Sequence, residues 1–149
     1  MRLEGGCHCG RLRVAFTITK PLTELPLRAC QCTFCRRHGG LTTSDPAGEI
    51  ILTVSEPPAD GWYRFGTGMT EFWVCPRCGV YVGGYVESGG RGRAVVNVRA
   101  LDARDQFTQA PTPMDYGQET REGRLERRLR VWSPARVVRD AARVPAQPR

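Results

Sequence analysis

The chain has 149 residues, enough for one domain with a modest core. Hydrophobic residues make up 40% and aromatics 8%, which excludes a disordered composition, and no apolar run approaches the ~18 residues of a membrane span. The net charge of +7 comes from 22 basic residues, of which only Lys20 is a lysine; it suits an anionic partner, either a nucleic acid or a small anion.

Met1 to Gly10 holds no apolar stretch of the kind a secretory leader needs, so the expected compartment is the cytoplasm. Gly5-Gly6-Cys7-His8-Cys9-Gly10 is a glycine-flanked turn that aims two sulfurs at one point, with His8 expected to face solvent. From Arg11 to Thr19 apolar residues alternate with polar ones: Leu12, Val14, Phe16 and Ile18 point one way, and this period of two predicts a strand. Pro21 and Pro26 bracket a loop leading to Cys30. Cys30-Gln31-Cys32-Thr33-Phe34-Cys35 puts three thiols within six residues, followed by Arg36, Arg37 and His38; a short helical turn ending at Gly39-Gly40 is expected here.

Glu49 to Ser55 is β-branched and apolar and predicts a strand, ended by Pro57-Pro58. Trp62–Phe65 and Glu71–Val74 flank Gly66-Thr67-Gly68 and predict a hairpin, whose Trp62, Tyr63, Phe72 and Trp73 are expected in the core. Its second arm runs into Cys75-Pro76-Arg77-Cys78-Gly79, a zinc knuckle by spacing. Val80–Val86 and Arg93–Val98 read as strands joined by Ser88-Gly89-Gly90. Leu101–Asp105 reads as the start of a short helix, Leu125–Trp132 as an edge strand, and the segment from Pro134 as a frayed tail. The expected organisation is therefore a mainly β, zinc-binding domain over residues 1–133 with a tail over 134–149.

Seven cysteines in a reducing compartment are metal ligands more often than disulfides, and an odd number cannot pair completely. They divide as four plus three, one closed site and one open site, with cysteines buried in the core as the plain alternative. Three sulfurs fill three corners of a tetrahedron and leave the fourth for a substrate, which is how a metal site does chemistry. His38 follows Cys35 by three residues, so it either closes that site as a fourth ligand or stands beside the metal as an acid or base. Arg36 and Arg37, with Arg28, are candidate forks for a substrate carboxylate.

Taken together, the motifs resemble the glutathione-dependent formaldehyde-activating enzymes. The resemblance runs through Gly5–Gly10, Cys30-x-Cys32-x-x-Cys35-Arg36, Cys75–Gly79 and Val96-Asn97-Val98-Arg99-Ala100-Leu101-Asp102. It implies a β-tent of stacked antiparallel sheets pinned by two zinc ions. Cys7, Cys9, Cys75 and Cys78 would form the structural site and Cys30, Cys32 and Cys35 the catalytic one; charge and spacing, not the resemblance, add Arg36, Arg37 and His38 as the expected substrate contacts. The implied activity is that of a carbon–sulfur lyase condensing a small thiol, glutathione or a similar one, with formaldehyde or another aldehyde. The competing expectation is a non-enzymatic zinc-pinned module for nucleic acid or protein. The sequence has no stripe of arginine and exposed aromatics that would favour nucleic acid.

Overall fold

The computed structural model describes residues 1–142. Ten strands and two helices follow in chain order: β1 (Arg2–Gly6), β2 (Leu12–Thr17), β3 (Arg28–Cys30), α1 (Thr33–His38), β4 (Thr42–Thr43), β5 (Glu49–Val54), β6 (Glu71–Val74), β7 (Tyr81–Ser88), β8 (Arg91–Asn97), β9 (Thr112–Met114), α2 (Arg121–Val131) and β10 (Ser133–Arg139). The hydrogen-bonded order is β1-β2-β5-β10-β8-β4-β3-β9, with β7 on the other edge of β8 and β6 outside β7.

The alternation in β2 explains why it sits at the centre of the first part of this sheet. Leu12, Val14 and Phe16 pair with Val54, Leu52 and Ile50 of β5. All six side chains are buried on one face, so cross-strand neighbours share the core as well as the ladder. β10 is the joint. Ala135–Arg139 run parallel to β5, while Ser133 and Pro134 pair antiparallel with Ala94 and Arg93 of β8. The chain thus passes from one half of the sheet to the other within seven residues.

The fold is mainly β, as expected, but the sheet is mixed: β5/β10 and β3/β9 are parallel and the remaining pairs antiparallel. Several local expectations need correction. Residues from Pro134 do not fray at once, because Ala135–Arg139 occupy the edge of β5, which an isolated reading of the tail cannot see. Pro134 stands near the start of that strand, where its missing N–H costs little. Residues 143–149 of the expected tail lie outside the described residues. Leu125–Trp132 is not an edge strand. It belongs to α2, capped by the Thr120 hydroxyl accepting from Gly123 N–H and packed through Leu125, Val131 and Trp132 against Val86 and Val95. Within Leu101–Asp105, residues 101–103 form a turn after the short 3₁₀ segment Val98–Ala100, and Arg104 and Asp105 start a second one, Arg104–Gln106. The first arm of the expected hairpin reduces to a single bridge between Tyr63 and Phe72.

Candidate metal centres and the cavity beside them

The first cluster joins the turn after β1 to the knuckle after β6. Cys7 N–H donates to the Leu12 carbonyl at 2.9 Å and Leu12 N–H returns to Cys7 Sγ at 3.2 Å, which curls the turn around its own sulfur. Gly6 makes this possible: at φ 152° any Cβ would collide with the Leu12 carbonyl oxygen. In the knuckle, Gly79 N–H donates to the Cys75 carbonyl and Cys75 N–H to the Val80 carbonyl. The four sulfurs of Cys7, Cys9, Cys75 and Cys78 all lie within 4.8 Å of one another. Cys7 and Cys9 Sγ are 3.7 Å apart, and Cys9 and Cys75 Sγ 3.5 Å.

Those separations fit a metal. Sulfurs at about 2.3 Å from a tetrahedral ion stand about 3.8 Å from one another. The protonation pattern without an ion is conflicted. Burial pushes the Cys7 thiol up to about 12. Burial also works against the Cys9 thiolate, but hydrogen bonds from the backbone and side chain of Arg11, then from Cys75 and Cys7, bring it down to about 6. Burial works against ionised sulfurs at Cys7 and Cys9, and a divalent cation is what allows neighbouring thiols to ionise together.

The second cluster is local. Cys30 ends β3, Cys32 caps α1 with its sulfur accepting from Cys35 N–H at 3.4 Å, and Cys35 sits in the first turn of that helix. Gln31 N–H donates to the Met114 carbonyl at 2.9 Å, tying the loop to β9. Gly39 closes α1 in the left-handed conformation, φ 58°, as the Gly39-Gly40 pair predicts. The three sulfurs also lie within 4.8 Å of one another, and among the described residues no histidine, carboxylate or further cysteine joins them. The hydrogen bond from Cys35 holds Cys30 down at about 6, while the Cys35 thiol is pushed up, first by that hydrogen bond and then by burial.

The three sulfurs line a cavity of about 210 Å³. Phe65, Phe72, Tyr81, Val95 and Trp132 supply its apolar surface. Its charge comes from Arg28 and from Arg124, Arg127 and Arg128, which share one face of α2 at the i, i+3, i+4 spacing. Arg127 makes two bonds to the Glu119 carboxylate, at 2.7 and 2.9 Å, and stacks 3.8 Å over the Tyr116 ring. Arg128 lies 4.7 Å over the Trp132 ring and donates to the Thr70 hydroxyl. Arg28 donates to the Ser44 hydroxyl at 2.9 Å, and that hydroxyl donates to the Val131 carbonyl, fastening α2 over the cavity. Burial, then repulsion from Arg127 and Arg124, pushes Arg128 down to about 10.

The structure gathers all seven expected cysteines into the two expected groups. It does not bring Arg36, Arg37 or His38 to the cavity: all three are exposed on α1, and the His38 ring lies 4.5 Å from Phe34 and 5.4 Å from Tyr81. His8 is exposed, as expected. Of the four expected core aromatics, Trp73 and Phe72 are buried, Trp62 is half-buried and Tyr63 is exposed. Sequence reasoning missed Arg124, Arg127, Arg128 and Tyr81. The helical spacing of the three arginines after the Thr120 cap was a usable signal. Tyr81 gave none, since it reads as one more apolar strand residue.

Fold and geometry thus define a mainly β protein with a four-cysteine and a three-cysteine cluster, each able to hold a metal ion, the second beside a cationic cavity. Over residues 2–115 the chain matches the family described as glutathione-dependent formaldehyde-activating enzyme, and it belongs to that family. Among solved structures it is similar to the crystal structure of a Rhodobacter sphaeroides protein, a structural-genomics target: TM-score 0.56, 25% identity, covering 74% of this chain and 99% of that one. No curated protein matches.

Proposed function

We propose that the protein is a zinc-dependent carbon–sulfur lyase that joins a thiol, glutathione or a similar one, to formaldehyde or another aldehyde at Cys30, Cys32 and Cys35. The observation that carries this reading is the three-sulfur cluster, which no fourth protein ligand joins among the described residues, exposed to a cavity large enough for a small substrate. The four-sulfur cluster, packed into the core, serves the fold. Zinc bound by the three thiolates would supply an open position at which a substrate thiol gives up its proton.

The chain's own residues do the rest. The apolar surface from Phe65, Phe72 and Trp132 keeps water away from the reacting atoms. Tyr81 is a neutral phenol in that wall: burial and then the neighbouring cysteines push it well above its ordinary value. Its hydroxyl is a donor suited to the aldehyde oxygen as that oxygen gains charge. In the balanced step the sulfur lone pair forms the new carbon–sulfur bond, the carbonyl π pair moves to oxygen, and that oxygen takes a proton. The reverse step releases thiol and aldehyde.

No observation favours the nucleic-acid module, because the stacked pairs such a surface would need, Arg127 on Tyr116 and Arg128 on Trp132, belong to residues lining the cavity. No helix among the described residues is long and apolar enough to cross a membrane. The reading places the chemistry in the cytoplasm, where thiols stay reduced.

The test is exchange spectroscopy on a mixture of formaldehyde and glutathione, which interconvert slowly with their adduct. Zinc-loaded protein is expected to speed the interconversion, and Cys32→Ser to abolish the gain. Exchange no faster than in buffer, repeated with 2-mercaptoethanol and acetaldehyde, would sink the assignment.

A further inference from the structure

One row of residues across β6, β7 and β8 faces the cavity: Phe72 pairs with Gly84, and Gly84 with Val95. Residues directly opposite one another in a sheet share a face, so Phe72 and Val95 flank a position that has no side chain. Neighbouring strands lie about 4.8 Å apart, which sets the two flanking residues about 10 Å from each other along the row. Thr70 and Trp132 bound the trough between them. A Cβ on Gly84 would meet Thr70 Cγ2 at 3.3 Å, Val95 Cγ2 at 3.7 Å and Trp132 Cη2 at 3.8 Å. Arg128 donates to the Thr70 hydroxyl and holds that side chain in place.

Nothing in the backbone asks for glycine at this position. Gly84 does not adopt a positive φ, and the atoms nearest to its missing Cβ all belong to side chains. Its neighbour Gly83 differs, since a Cβ there would collide with the Val95 carbonyl oxygen at 2.4 Å and meet the Trp73 ring at 3.2 Å. A glycine inside a strand paired on both sides weakens the sheet, and it marks a place where something else comes close. At Gly83 that is backbone; at Gly84 it is the cavity.

We infer that the trough over Gly84 takes an aromatic ring, and that the aldehyde is the substrate that carries it: an aryl-bearing aldehyde such as phenylacetaldehyde. This rests on the lyase reading above and names the carbonyl substrate for the same site. Size agrees. An apolar cavity of about 150 Å³ takes one benzene molecule. At about 210 Å³ this cavity has room for a ring and its carbonyl arm, whereas formaldehyde would leave most of it empty. Phe65, Phe72 and Trp132 line it, and aromatic rings favour offset or edge-on contact with one another. The ring goes with the aldehyde because of what each element carries. The sulfurs stand on β3 and α1, where the thiol must arrive. Tyr81, the donor suited to the carbonyl oxygen, opens β7, the same strand that holds Gly84. The bond made is unchanged: the thiol sulfur adds to the carbonyl carbon, and the carbonyl oxygen takes the proton.

The test reads binding and turnover separately on zinc-loaded protein. By calorimetry, 2-phenylethanol, an unreactive analogue, is expected to bind about fivefold tighter than the puckered 2-cyclohexylethanol. Gly84→Ala should weaken 2-phenylethanol by roughly threefold and Gly84→Val by about tenfold or more, as the new side chain fills the trough. In exchange spectroscopy with 2-mercaptoethanol, the wild type should speed the interconversion of phenylacetaldehyde more than that of acetaldehyde. Gly84→Val should reverse that order and keep acetaldehyde, whereas a misfolded variant would lose both. Should Gly84→Val fail to load zinc, Gly84→Ala carries the comparison, since its Cβ meets nothing closer than 3.3 Å. Equal binding of the two alcohols overturns the inference, as does unchanged binding of 2-phenylethanol in Gly84→Ala. So does a greater acceleration over buffer for benzyl mercaptan with formaldehyde than for 2-mercaptoethanol with phenylacetaldehyde, which would put the ring on the thiol. Ring binding as expected with no acceleration for any aldehyde would overturn the lyase reading alone and leave the trough as a site for an aromatic ligand.

Discussion

Cys7, Cys9 and Cys75 are no more than 7% exposed and sit in the main core beside Leu12 and Trp73, whereas Cys30 and Cys32 are half-buried on the wall of a cavity. The first cluster reaches across the chain: Cys9 and Cys75, 66 residues apart, bring their sulfurs to 3.5 Å. The second is contained in six residues and braced by its own helix cap. Both are made of C-x-C and C-x-x-C pieces, so motif alone does not separate them. Sequence separation and surroundings do. Closing a long loop restrains the unfolded chain strongly, and a buried four-sulfur cluster offers no place for a substrate. A short loop with three sulfurs adds little to the fold and leaves a corner for a ligand.

The largest expected effect breaks the symmetry between the clusters directly. Cys75→Ser removes a ligand from the site that joins distant segments. Structural zinc contributes on the order of 10–16 kcal/mol in small zinc peptides, comparable to the whole stability of a domain. Thermal unfolding should show this variant largely unfolded or melting tens of degrees lower. Cys32→Ser should melt close to the wild type while losing activity. Equal loss in both variants would mean that the second cluster also holds the fold together.

A smaller effect is expected in the order of metal loss. Wild-type protein should carry two zinc ions, and a mild chelator should remove one much faster than the other. The faster ion should be the one absent in Cys32→Ser, since that site opens to a cavity and the other lies within the core. The melting temperature should hardly move until the second ion leaves. A single kinetic phase, or melting that falls with the first ion, would erase the distinction.

How far the sequence reveals this arrangement depends on whether the decisive contacts are local. The C-x-C and C-x-x-C pieces are legible because their spacing is a local property, and β2 and β5 because a period of two shows over six residues; the joining of Cys7 and Cys9 to Cys75 and Cys78, across 66 residues, is legible only through the family resemblance. The parallel β5/β10 pairing is not legible: it joins Ile50 to Ala135 across more than 80 residues, and β10 carries Pro134 and two arginines, poor advertisements for a strand. α2 is hidden for a related reason. Its arginines look like a solvated face, and only tertiary packing shows Arg124, Arg127 and Arg128 turned to a cavity while Trp132 anchors the end of the helix on Val86 and Val95. Proximity in sequence points to Arg36 and Arg37 as the cations beside the cysteines, whereas the cavity is lined by Arg28 and by Arg124, Arg127 and Arg128 of α2. In a short helix, residues one and two positions past Cys35 point away from the face that Cys35 occupies.

His38 gives the smallest expected effect and the finest test of the contrast. At three residues past Cys35 it is the one side chain whose spacing allows a fourth ligand to the second cluster. The fold places its ring against Phe34 and Tyr81, on the exposed side of α1, and outside the group of converging sulfurs. His38→Ala should therefore leave both zinc ions in place, by metal analysis, and leave added thiol able to reach the metal. What it removes is ring packing, worth about 0.5–1.5 kcal/mol for an aromatic pair and less at an exposed position, so melting should fall by only a few degrees. Release of the second zinc by this substitution would show that the imidazole swings in to close the tetrahedron. The two clusters would then both be closed, and the difference between them would reduce to one of location.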